Sequence, residues 1–357
     1  MSNVHAALLG LSHPHSLAHL RTLQAVSEVE SIVLWDPDED LLQSTVESQG
    51  QKIRETTTDL NAVLGQDQIL FAVAALRNDR GPAIFTQVLE AGKHLITDKP
   101  IGKTAVESQQ IADVAKRTGR QLSVFYQNRA LTPVQDARRF VGQGLLGELV
   151  SVELRMITTQ VQFRNPQHWL FNQAQAGGGI LSWLGCHYID LIQYITQDDI
   201  VSVSGQVATR SDEAIDVEDV AALTFGLRSG AVGAMHAGYM LALSGSGYHN
   251  RAGYDTYISV NGRLGRITWT ATGVPNKLYV ESTHPDWVSA PQRTFDYAYG
   301  NSPAYGGPSG EVFMRSFIDA CEGNGVPMAS GEDAVSVAKV VDAAYESSRS
   351  GRRIDLL

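Results

Sequence analysis

Short apolar runs recur along the first third of the chain, with segments of helical period between them. VHAALLGL, SIVLWD, QILFAVAAL, KHLITD and QLSVFY are nearly continuous in apolar residues rather than alternating, as strands buried on both faces are. SLAHLRTLQAV spaces Leu17, Leu20, Leu23 and Val26 on one helical stripe, and PAIFTQVLEAG closes on Gly92, where a left-handed cap is wanted. Buried strands joined by helices predict an α/β, Rossmann-type doubly wound parallel sheet over residues 1–126. After Tyr126 the pattern changes. A helix in PVQDARRFVGQGLLG leads into LVSVELRMITTQV, and hairpins are expected about Arg228 to Gly230 and about Asn261–Gly262. Residues 127–357 are therefore expected to form an α+β domain with a large, mostly antiparallel open sheet. Helices about Ser309 to Glu322 and Glu332 to Ser350 would cover it or return to the domain junction.

Ligands of a doubly wound sheet sit at the carboxyl ends of its strands. Those ends supply the expected dinucleotide contacts: Gly10, Ser12, His13, His15, Asp36, Leu76, Asn78, Asp98, Lys99, Pro100, Asn128 and Arg129. Asp36 closes the second strand, where a carboxylate can accept from both ribose hydroxyls and would repel a 2′-phosphate, so NAD is favoured over NADP. The alternative is a turn residue of DPDED that caps the next helix. A dinucleotide fingerprint asks for small residues at positions 10, 12 and 15, and the chain offers Gly10, Ser12 and His15. A helix amino end with side-chain donors could replace the lost backbone approach. HPHSLAH also admits a metal reading, with Asp98 as a third ligand. The repeats do not sum to an eightfold barrel, so metal ranks below dinucleotide and below an unliganded loop, and no metal is expected.

Composition narrows the partner. The formal net charge is -10, which argues against nucleic acid or an anionic membrane and for a small-molecule ligand. The two cysteines, Cys186 and Cys321, have no metal or disulfide spacing, and no apolar stretch reaches membrane-span length, so a cytoplasmic protein is expected.

Several ordered motifs carry a family resemblance over nearly the whole chain. TDKPIGKT resembles the EKP motif of the Gfo/Idh/MocA oxidoreductases, the family of glucose-fructose oxidoreductase, inositol dehydrogenases and rhizopine-catabolism proteins. YQNRALTPVQDARRFVGQGLLGELVSVELR is similar to that family's entry to its second domain, and GGGILSWLGCHYIDLIQYI to its substrate-site helix. VEDVAALTFGLRSGAVG and AAYESSRSGRRIDL also match. The resemblance implies an NAD(P)-dependent oxidoreductase that moves a hydride between nicotinamide and a secondary alcohol or ketone of a sugar, cyclitol or related polyol. It also implies a homodimer or homotetramer formed through the C-terminal sheet. Lys99 would polarise the reacting oxygen and His187 would exchange its proton, with Asp190 orienting the helix.

Many dehydrogenase members carry an aspartate four residues before that histidine; here Trp183 stands there, an apolar plate suited to a sugar ring or an aromatic ring. LRNDRGP stands where members often show PN followed by a histidine. Arg164, His168 and Trp169, in the loop VQFRNPQHWLFNQAQAGGG, are expected substrate contacts, or else a solvated loop pinned by Trp169. Arg129 is a ligand contact or an ion-pair partner. Two other functions stay open: a catalytically silent cofactor-binding sensor or regulator, and an NAD-assisted glycosidase or lyase.

Overall fold

The unbroken apolar runs at the start of the chain pair as parallel strands because neither face of their sheet meets water. A computed structural model describes residues 3–242 and 253–356. Its first unit, Met1–Ala130 with Tyr299–Val335, is built on β1 (Val4–Leu9), α1 (Ser16–Ala25), β2 (Val29–Trp35), α2 (Glu39–Gln49) and β3 (Ile53–Thr57). α3 (Leu60–Leu64), β4 (Ile69–Ala74), α4 (Gly81–Glu90), β5 (His94–Thr97), α5 (Ala105–Thr118) and β6 (Leu122–Val124) complete its first pass. The strands lie in the order β3-β2-β1-β4-β5-β6, all parallel, which is the doubly wound arrangement. Ala6 to Leu9, Val33, Leu34 and Val73 are fully buried.

Two expectations for this unit need correction. β3, IRETT, is a sixth strand; it is an edge strand with exposed or half-buried side chains, so no apolar run marks it. Leu17 is 39% exposed, and the buried face of α1 is Ser16, His19, Leu20, Thr22 and Leu23. That face turns because the His19 ring packs edge-on to Phe125 and Tyr305 while its Nε2 bonds Asp98. Gly92 does take a left-handed φ of 77° past the end of α4.

The second unit, Leu131–Ala298 with Ser336–Leu357, holds α6 (Thr132–Gly142), β7 (Leu149–Thr159), α7 (Gln173–Ala176), α8 (Cys186–Thr196), β8 (Ile200–Ala208), β9 (Val220–Leu227) and β10 (Val232–Leu241). β11 (Tyr254–Gly262), β12 (Gly265–Ala271), β13 (Lys277–Ser282) and β14 (Gln292–Asp296) follow. Then come α9 (Pro308–Cys321), which belongs to the first unit, α10 (Gly331–Ser350), and β15 (Ile354–Asp355), which returns to this sheet. The sheet order is β14-β13-β12-β11-β7-β10-β9-β8-β15, antiparallel except for the β7–β10 pair. The second hairpin turns two residues later than expected: Asn261 pairs with Arg266, so Arg263 and Leu264 make the turn.

In the first unit, α9 packs on α1 and on the short helical turn Gln127–Ala130, and Phe313 and Phe317 meet Phe125 and Phe71 at ring centroid distances of 5.1 and 5.5 Å. Cys186 and Cys321 form no disulfide. Among the described residues no helix is long and apolar enough to cross a membrane.

Candidate active site

In the first unit the turn after β1 is tightened by Gly10, whose φ is +92° and whose Cβ, if present, would stand 2.4 Å from the Ala75 carbonyl oxygen. Only glycine fits there. Asp36, at the end of β2, accepts from the Leu11 N–H at 2.6 Å and the Asp38 N–H at 2.9 Å, so it ties the two strand-end turns together. Capping of α2 falls instead to Asp38, which accepts from the Asp40 and Leu41 N–H groups. A carboxylate has about four lone-pair sites, so Asp36 retains acceptor capacity for a ribose. Ser12 is exposed, and the Ser16 hydroxyl, in the first turn of α1, is fully buried with no hydrogen-bond partner. A close-approach glycine, an open serine, a buried donor and a helix amino end fit the phosphates of a dinucleotide.

His15 takes the place of the third small residue without wedging β1 from α1, because its ring reaches toward the end of β5. Its Nδ1 lies 2.7 Å from Asp98 Oδ2, and His19 Nε2 lies 2.9 Å from the same oxygen. The Tyr305 hydroxyl stands 3.1 Å from His15 Nδ1, and the His13 ring sits edge-on to His15 at a centroid distance of 5.2 Å. Burial lowers the pKa of His13 well below the ordinary value and lowers His15 too, outweighing the opposite pull of Asp98. Burial alone would raise Asp98, but His15 and His19 outweigh it and hold the carboxyl well below its usual range. His13, His15 and Asp98 form a group able to hold a metal ion.

Asp98, Lys99 and Pro100 follow β5. Lys99 is 1% exposed, and its N–H donates to Asp98 Oδ1 at 2.8 Å. Asn78 is buried after β4, while Leu76 and Asn128 are half-buried. Arg129 takes the ion-pair alternative: it meets Asp333 at 2.9 Å and donates to the Met328 carbonyl at 2.8 Å, which engages the guanidinium within the protein.

In the second unit Gly177 to Gly179 lead into a helix that opens with a π turn, Leu181–Gly185, before α8. Its amino end is held by Glu218, whose carboxylate accepts from the Gly179 and Leu181 N–H groups at 2.7 and 2.9 Å and from the Tyr345 hydroxyl at 3.0 Å. Trp183, His187 and Asp190 are buried on this helix. Trp169 meets Trp183 edge-on at 6.2 Å and His168 at 5.4 Å, so the loop and the helix share an aromatic wall. Burial keeps His168 below its ordinary pKa, and its Nδ1 accepts from the Leu170 N–H. Arg164 braces the loop, donating to Thr158 Oγ1 and the Thr159 carbonyl with its guanidinium over the Tyr239 ring. Sequence reasoning missed His19, Tyr305 and Glu218. His19 lay within the HPHSLAH run and Glu218 within VEDVAALTFGLRSGAVG, but nothing local marks Tyr305.

The sheet order, the strained glycine and the acid closing β2 define a Rossmann-type nucleotide-binding protein. A model of an oxidoreductase family with an NAD-binding Rossmann fold matches residues 4–126, and a model of the GFO/IDH/MocA C-terminal domain matches residues 134–268. The chain belongs to this Gfo/Idh/MocA family of NAD-dependent oxidoreductases. It is 24% identical over 365 residues to the D-apiose dehydrogenase of Paraburkholderia graminis, covering 98% of this chain and 89% of that one. Among solved structures, an oxidoreductase domain protein from Kribbella flavida superposes with a TM-score of 0.88 at 22% identity, both chains fully covered. A levoglucosan dehydrogenase in complex with NADH superposes with a TM-score of 0.86 at 21% identity, again over all of both chains.

Proposed function

We propose that the chain is an NAD-dependent dehydrogenase of a sugar, cyclitol or related polyol, with Lys99 and His187 as its catalytic residues. The observation that carries the reading is Lys99: an ammonium-bearing side chain, 1% exposed, at a strand end of a Rossmann sheet. Surface lysines are the rule, and burying an ammonium at a strand end costs free energy. A bound nicotinamide would supply the hydride acceptor. Lys99 donates a hydrogen bond to the reacting oxygen and stabilises the negative charge that gathers there. His187 takes the hydroxyl proton, and Asp190, three residues on, orients its helix. Trp183, Trp169 and His168 offer aromatic surface for a sugar ring to pack against, and relatives named as sugar dehydrogenases support that substrate class.

Gly10, Ser12, His13, His15 and Asp36 would hold the pyrophosphate and ribose, with Leu76, Asn78, Asp98, Pro100 and Asn128 near the nicotinamide half. Asp36 favours NAD over NADP by charge. In a screen of polyols with both cofactors, Lys99→Ala and His187→Ala should each lower kcat/KM roughly 10²–10⁴-fold while NADH binding persists. Full turnover in both variants, or tighter binding of NADPH than NADH, would defeat the corresponding assignment.

A further inference from the structure

The turn GLSHPHSLAHL carries a chemistry that hydride transfer does not use. We propose that His13, His15 and Asp98 form a binding site for a divalent transition-metal ion of the zinc class. Each offers one ligand atom, and the three atoms lie within 4.8 Å of one another. Two ligands of a tetrahedral ion, bonded at about 2.0–2.2 Å, stand ~3.4 Å apart, so modest side-chain rotations bring the three into place. Two imidazoles and one carboxylate with a position left open are the donor set of many zinc sites.

Three further observations favour an ion. All three side chains are almost entirely buried, at 5%, 7% and 5% exposure, so packing confines them to small rotations about these positions. Two of the three have partners that steady metal ligands: Asp98 Oδ1 accepts the Lys99 N–H, Asp98 Oδ2 is met by His19 Nε2, and the Tyr305 hydroxyl lies 3.1 Å from His15 Nδ1 and 3.4 Å from Nε2, while His13 Nδ1 accepts the His15 N–H at 3.2 Å, a bond that ligation through that nitrogen must displace. His15 Nδ1 and Asp98 Oδ2 already face each other at 2.7 Å. When an ion enters between them, the His15 proton relocates to Nε2, where the Tyr305 oxygen can accept it, so the ring stays neutral as a ligand must. A hydrogen-bonded brace for the turn needs only His15, His19 and Asp98; a third buried imidazole, His13, converts that brace into a three-ligand set.

The full chain, stripped with a chelator and titrated calorimetrically with Zn²⁺ in the absence of any dinucleotide, should bind one equivalent. His13→Ala and Asp98→Asn should each weaken that binding at least tenfold, whereas His284→Ala, which removes a surface imidazole, should not. Paramagnetic resonance of the unsubstituted chain loaded with Cu²⁺ should show coupling to two imidazole nitrogens, a readout independent of whether the variants fold. No stoichiometric uptake, uptake that survives both substitutions, or a copper spectrum without nitrogen coupling overturns the site. Because no cofactor is present, failure of zinc uptake leaves the dehydrogenase reading untouched, whereas uptake would remove His13, His15 and Asp98 from the dinucleotide contacts and leave Lys99 and His187 in their roles.

Discussion

Glu218 is a buried carboxylate that the substrate helix depends on. It takes up two N–H groups that the helix start cannot satisfy itself and a tyrosine hydroxyl besides. Burial raises its pKa against those hydrogen bonds. The folded carboxyl therefore holds its proton more tightly than the unfolded chain does. Its contribution to stability is full below the ordinary value of 4.5 and is lost as pH rises through the raised folded value. Glu218→Gln should flatten that fall and cost roughly 1–3 kcal/mol at low pH, where one acceptor has been replaced by a donor; urea unfolding across a pH series measures both. Little of this residue's role was legible. An acid in VEDVAAL looks like a solvated turn, and only folding brings it to a helix 37 residues earlier in the chain. Lys99 and His187 were legible because they stand inside motifs, TDKP and CHYID, whose neighbours are also distinctive.

The elements that announced themselves are those whose burial is uniform along their length. β1, β4 and β5 are buried almost throughout, and their apolar runs locate them within a residue or two. β3 is exposed along most of its length and carries no pattern to read. The turn Arg263–Leu264 was misplaced because Asn261–Gly262 is the stronger local turn signal, while cross-strand register chose otherwise. The π turn Leu181–Gly185 also has no sequence signature; its start is fixed by contact with the segment that leads into β9. A Cβ at Gly179 would lie 1.9 Å from the Glu218 carbonyl oxygen, so Gly179→Ala must push the helix start off that backbone. The variant should lose at least about 1–3 kcal/mol and most of its turnover, read by thermal melting and steady-state kinetics together. Unchanged melting would mean that this close approach does not hold the helix.

Each of the two units builds its core from segments far apart in the chain. The first unit recovers Tyr299–Val335, whose Tyr305 joins the histidine turn and whose Phe313 and Phe317 fill its core. Among the described residues the second unit's sheet carries exposed side chains on one face: Val232 is 62% and Tyr279 47% exposed, with Ala234 exposed on the same strand as Val232 and Ala222 and Thr224 on the strand beside it. Small and apolar exposed positions on a flat sheet suit a second copy of the chain. Sedimentation should return two or four times the 38.7 kDa chain mass, with Val232→Lys shifting it toward one; a monomer at working concentration would exclude this interface. The sequence by itself determined the doubly wound sheet, the change to an antiparallel sheet and the family. Those follow from local periodicity and from contiguous motifs, which need no knowledge of distant contacts. Only the tertiary structure decided that His13 and His15 meet Asp98, that Tyr305 lies beside them, and that Glu218 holds the substrate helix. Each of those is a pairing across tens to hundreds of residues, set by which strand ends and return segments pack together.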